Sequence, residues 1–184
     1  MTCVKENIEF KNGRYSVDLP RRDTADTVII PDNYHLSKAR LVSLFHHLKR
    51  NHPDILQKVD DIFREQEKEG IIEDADDQSM EVGNVHYLPH RPIVRDDKDT
   101  SKVRVVFDAS AKVKGGISLN DVLEKGPNML PKILNILLRF RSYRFVLISD
   151  IKAAFHQILL KEKSRDLTRF LWFDDIHSEN PRIV

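Results

Sequence analysis

Two apolar stripes at helical spacing run back to back in this chain, and a proline stands between them. Leu41, Leu44, Phe45 and Leu48 recur at three- and four-residue steps, which predicts a helix over about 35–50. Pro53 suits the first turn of a second helix, where no amide hydrogen is needed, and Asp54 complements the positive end of that helix. Ile55, Leu56, Val59, Ile62 and Phe63 carry the second stripe, and Gly70 is a natural terminator. So short a connection predicts a helical hairpin with two apolar faces, and the rest of the chain has to supply the layer that covers them.

Material for that layer lies on both sides. Gly13 predicts a turn between two extended pieces, Ile8–Phe10 and Tyr15–Leu19, and Val28–Ile30 is a short apolar run closed by Pro31. After an acidic stretch (73–81), Val85–Val94 is β-prone but broken by Pro89 and Pro92, which suits an edge strand. Lys102–Asp108 alternates, with Val103, Val105 and Phe107 on one face and Arg104, Val106 and Asp108 on the other. The polar link 95–101 reads as a hairpin tip in water. Gly115-Gly116 and Gly126-Pro127-Asn128 mark loops, and Ile133, Leu134, Leu137 and Leu138 predict a helix from about Pro131 to Arg141. Phe145–Ile148 reads as a buried strand ending just before Asp150; Ile158–Leu160 and Arg169–Phe173 are further strand candidates. This mixture predicts an α+β fold.

Composition narrows the function classes. The chain has 184 residues, 40% of them hydrophobic, enough for a real core and unlike wholesale disorder. No apolar run approaches the roughly 20 residues of a membrane span. Lys5, Glu6 and Glu9 interrupt the opening segment, so no signal peptide is expected. The single cysteine, Cys3, excludes an intramolecular disulfide and a cysteine-rich zinc site. An intracellular, cytoplasmic setting with no membrane partner is the expectation.

A formal net charge of +1 says nothing about nucleic acid, but its distribution does. Acids outnumber bases from Asp54 to Asp77. Between Arg91 and Lys114 stand seven Lys/Arg against four Asp, and between Lys132 and Lys152 five against the lone Asp150. Such strips can hold phosphates, although most are simply solvated faces. His46-His47 point apart on a helix, and His86 and His90 lack a third ligand at recognisable spacing, so neither pair predicts a metal site. No nucleophile phrase and no P-loop is present.

Two constellations carry candidate chemistry. The first is Ser149-Asp150-Ile-Lys152-Ala-Ala-Phe155-His-Gln157. A carboxylate at the end of an apolar strand is a place for Mg²⁺, which prefers hard oxygens and takes only one or two protein carboxylates beside phosphates and water. Read alone, Asp150 is more often a turn or cap residue and Phe155 a core residue. The second is Lys98-Asp-Thr-Ser-Lys102-Val-Arg104-Val-Val-Phe-Asp108. A guanidinium is always charged and can donate two parallel bonds to phosphate oxygens. Read alone, this is a solvated strand face.

In order and spacing, these phrases resemble one family. Tyr87-Leu-Pro-His-Arg-Pro-Ile-Val94, Arg104-Val-Val-Phe-Asp-Ala-Ser110, Ser118-Leu-Asn-Asp-Val122 with Gly126-Pro127-Asn128, Asp150-Ile-Lys-Ala-Ala-Phe155-His-Gln157 and Phe170-Leu-Trp-Phe173 are similar to the reverse transcriptases of BEL/Pao-type long-terminal-repeat retrotransposons. The similarity spans about residues 10–176. It implies a right-hand polymerase fold of the α+β class, fingers plus an incomplete palm. Residues 1–84 would form entry strands and the helical hairpin, 85–142 the fingers and 143–184 the start of the palm.

The resemblance also implies roles. Asp150 would be a catalytic carboxylate holding Mg²⁺. Arg104 would grip the triphosphate, together with Lys98 or Lys102, between which the sequence does not choose. Phe155 would screen the sugar against a 2′-hydroxyl, and Gln157 and Lys152 would line the same cleft. The partners implied are an RNA or DNA template with primer, deoxynucleoside triphosphates and the remainder of a retrotransposon polyprotein. Trp172-Phe173-Asp174-Asp175 mimics the paired-aspartate hairpin of that family, but it falls only 24 positions after Asp150, too near to be that motif, and reads as a polar turn. With one of three expected metal carboxylates, the isolated chain is expected not to polymerise. The alternatives are a non-catalytic nucleic-acid-binding remnant and a product that hardly folds.

Overall fold

The structure, a computed structural model, describes residues 8–11, 13–22, 29–75, 85–95, 103–151 and 153–184. Cys3, Val28, the hairpin-tip residues 96–102 with Lys98 and Lys102, and Lys152 lie outside them.

The helical hairpin forms where its stripes require. Helix α1 (Tyr34–Asn51) buries Ser37, Leu41, Phe45 and Leu48, and α2 (Pro53–Lys68) buries Leu56, Val59, Asp60 and Phe63. Pro53 takes the first helical turn, and Gly70 follows the last with a left-handed φ of 65°. Two strands lie over the pair: β3 (His90–Val94) and β4 (Val103–Phe107), antiparallel, with His90 opposite Phe107 and Ile93 opposite Arg104. The second layer also takes in Leu171, Trp172, Phe173 and Ile176, which pack with the helix stripes in one core. A second cluster joins Ile30, Leu88, Leu119, Val122 and Leu167. Its short helix α3 (Leu119–Val122) is opened by a capping box in which Ser118 and Asp121 satisfy each other's backbone amides.

A three-stranded sheet stands apart from these layers. Strands β1 (Glu9–Lys11) and β2 (Arg14–Val17) make the hairpin that Gly13 turns, with φ 80°, and β2 pairs in parallel with β5 (Ile158–Leu160). Helix α4 (Ile133–Arg141) and the one-turn helix α5 (Glu162–Arg165) lie on either side of β5 in sequence. The arrangement is mixed helix and strand, and among the described residues no helix is long and apolar enough to cross a membrane.

Buried polar groups join the layers. Asp60, 3% exposed, accepts from the Trp172 indole Nε1–H at 2.9 Å and from Arg64 Nε at 2.7 Å, while Arg64 Nη2 donates to the Asp174 carbonyl at 3.1 Å. The buried carboxylate thus has a donor on each oxygen, which makes its burial tolerable. Buried Asn33 grips one residue of the opposite layer from both sides. Its Oδ1 accepts from Tyr87 N at 2.8 Å and its Nδ2 donates to Tyr87 O at 2.6 Å, in place of a strand neighbour.

Three strand expectations are corrected. Phe145–Ile148 is neither strand nor core: Phe145, Leu147 and Ile148 are 83%, 97% and 86% exposed. An apolar run has β propensity, but a strand also needs a neighbour for its amides and carbonyls, and none of the described residues provides one here. Arg169–Phe173 is buried yet forms only single bridges, Arg169 to Tyr87 and Phe173 to Ile183. Val85–Val94 is a strand only from His90 onward.

Candidate functional site

Arg104 sits in the middle of β4 on the face turned away from the helices. The alternation that puts Val103 and Val105 against the core leaves Arg104 and Val106 exposed, and the register adds exposed Arg91 and Ile93 from β3 to that outer face. The inner face is fixed by aromatic contacts. The His90 ring lies 5.3 Å from Phe63, 5.6 Å from Phe107, 5.7 Å from Phe170 and 5.5 Å from Trp172, centroid to centroid. Burial holds its imidazole down to a pKa of about 4, and its Nε2 has no hydrogen-bond partner among the described residues. His90 is therefore a neutral packing group in an aromatic box, and no cluster of metal-binding side chains occurs among the described residues.

At the end of β4, Asp108 ties the hairpin to the helical layer. Its Oδ2 accepts from Arg40 Nη1 of α1 at 2.9 Å, its Oδ1 accepts from Ser110 N at 3.1 Å, and its own amide donates to Pro89 O at 2.7 Å. The ion pair is half-exposed and contributes about 0–1 kcal/mol, so its role is registration more than stability. Asp108 is committed to protein partners; Arg104, four residues earlier, makes no ion pair with any described residue.

Asp150 and Phe155 stand on a later segment of the chain. Every described residue from Glu124 to Ile158 is exposed, so this segment forms an excursion between the second core cluster and β5. Asp150 Oδ1 accepts from the Ile151 amide at 2.9 Å. Ala153 has a left-handed φ of 49°, unfavourable for a side chain with a Cβ, and opens the 3₁₀ turn Ala154–Gln157 that carries Phe155, 91% exposed, and Gln157 into β5. No hydrogen bond, ion pair or ring contact joins Arg104 to Asp150 or Phe155 among the described residues. Lys98, Lys102 and Lys152 fall outside them.

Asp150 offers one hard carboxylate, and a two-metal clamp needs more than one. The described residues do not fit a two-metal site.

Sequence reasoning missed Arg91 as a neighbour of Arg104. The signal was the shared parity of two alternating strands, readable only once the register His90–Phe107 is known. It also missed Asp60, whose polarity hides its place in the buried stripe of α2. The paired acids Asp174 and Asp175 do form a polar turn: Arg182 holds the Asp174 carboxyl below the usual carboxylate range, its Nε donating to Oδ2 at 3.0 Å. Comparison with protein-family models, with curated proteins and with solved structures returned no match.

Proposed function

We propose that the chain is the fingers and opening palm segment of an RNA-directed DNA polymerase of the BEL/Pao retrotransposon type. The observation that carries the reading is Arg104. Motif spacing singles it out, and it stands unpaired among the described residues on the solvent face of a hairpin whose other face is locked onto the helical layer. A phosphate-gripping arginine needs that combination of rigid support and free guanidinium.

In this reading Asp150 is one metal-holding carboxylate, Phe155 the residue beside the sugar, and Arg104 the triphosphate contact. The strained backbone at Ala153, between Asp150 and Phe155, supports a functional role for that turn. So does the exposed apolar surface of the excursion, far beyond what a solvated loop needs; Phe145–Ile148 and the Leu134–Leu138 stripe are then faces for further palm structure. The chain's own residues would position the triphosphate and the sugar. Its partners are a primed RNA or DNA template and deoxynucleoside triphosphates.

The pure chain should bind an RNA–DNA hybrid primer-template at low salt, with affinity falling steeply as salt rises, and should give no magnesium-dependent primer extension. Failure to bind the hybrid at low salt would remove the reading. A second reading, a non-catalytic nucleic-acid-binding module, is favoured by one specific feature. From Lys125 to Ser149 the excursion carries five Lys/Arg and no acid, all exposed. Under that reading, charge reversal at Arg139 and Arg141 abolishes hybrid binding while Arg104→Ala leaves it unchanged.

A further inference from the structure

We propose that Arg91 joins Arg104 in a two-guanidinium face on the β3–β4 hairpin that binds phosphate groups, a face that takes its choice of ligand from the reading of Arg104 above. Arg91 pairs with Val106 and Ile93 with Arg104, so these four side chains share one face, with the two arginines diagonal to each other. Diagonal neighbours across an antiparallel pair stand about 7–8 Å apart, a span that two long guanidinium arms close onto adjacent phosphates.

All four residues are exposed, and neither arginine has an ion-pair partner among the described residues. Several other arginines are, by contrast, held by acids. Arg64 is bonded to Asp60, Arg165 to Glu73, Arg169 to Asp166 and Arg182 to Asp174. Arg40, at the foot of the same hairpin, is paired with Asp108. Asp108, at the hairpin base, is thus occupied, and among the described residues no acid takes the two guanidiniums of the outer face. Ile93 and Val106 complete the same face beside them. The opposite face, held by the His90 aromatic box, keeps the strand pair from tilting.

The ligand chemistry is a run of phosphates, available from a nucleoside triphosphate or from a sugar-phosphate backbone. The test titrates the full chain with inorganic tripolyphosphate and, separately, with a single-stranded RNA oligonucleotide at several salt concentrations. Wild type is compared with Arg91→Ala, Arg104→Ala and, as a charge control on the last turn of α2, Lys68→Ala; circular dichroism verifies the fold of each. The expected result is a loss of at least about tenfold in tripolyphosphate affinity for each arginine variant and none for the lysine variant. If the source is a backbone, tripolyphosphate binds weakly in every form, and each arginine variant instead lowers the RNA salt slope by about 0.7.

Wild-type affinity in Arg91→Ala beside a loss in Arg104→Ala would overturn the pairing and leave the Arg104 reading standing. An equal loss in Lys68→Ala would overturn it as mere surface charge. A wild-type chain that binds neither ligand would overturn both the pairing and the Arg104 reading.

Discussion

At the residue scale, the most consequential side chain in the core is one that can acquire charge. His90 is packed among Phe63, Phe107, Phe170 and Trp172, with its pKa held at about 4 by burial against 6.5 in the open chain. The folded value is the depressed one, so the unfolded chain binds the proton more readily. The stabilisation from keeping His90 neutral is complete above pH 6.5 and is lost as pH falls toward 4. The surrounding rings would return part of the cost through cation–π attraction, about 0.5–2 kcal/mol, but the unpartnered Nε2 keeps desolvation dominant. Urea unfolding of the wild type should therefore lose on the order of 1–2 kcal/mol between pH 7.5 and pH 5. His90→Phe, which keeps the ring without the proton, should flatten that part of the profile; an unchanged slope in the variant would assign it to other groups.

At the element scale, burial divides the helices into two kinds. Phe63 on α2 touches the aromatic box and is 3% exposed, whereas Leu134 and Leu137 on α4, equally apolar in sequence, are 63% and 53% exposed. Phe63→Ala should cost about 3–5 kcal/mol by removing a core ring and leaving a cavity, and Leu137→Ser should change stability by no more than about 0.5 kcal/mol. Chemical denaturation of the two variants checks the contrast; a large loss in the serine variant would place α4 in a core. The same contrast explains what was legible. The stripes of α1 and α2 could be read because Pro53 and the short connection force them together. The stripe of α4 and the run Phe145–Ile148 look identical in composition to core elements, but periodicity encodes an apolar face and not the presence of a cover. The β2–β5 pairing was invisible for a related reason: each strand alone is too short to name a partner at the far end of the chain. The β3–β4 hairpin, by contrast, was legible down to the side of the strand on which Arg104 stands. Its alternation is clean, although the companion Arg91 needed the register.

At the scale of the whole molecule, the chain separates into a packed part and an exposed excursion. The two core clusters draw on residues from Ile30 to Ile176, so the helical hairpin, the β3–β4 hairpin and the segment around Trp172 have to form together. Cooperative thermal unfolding of the purified chain would argue against the reading of a product that hardly folds. The excursion, with Asp150 and Phe155 on it, contributes little to those clusters. Under the proposed reading its apolar face and strained turn belong to a larger active site. The reading proposed above, the front of a polymerase, is tested by sequencing the transcript beyond the codon for Val184. The expected result is an open frame that runs into an aromatic-x-Asp-Asp hairpin, supplying further carboxylates beside Asp150. A frame that closes, or that continues without such a pair, would contradict it and leave nucleic-acid binding as the activity to pursue.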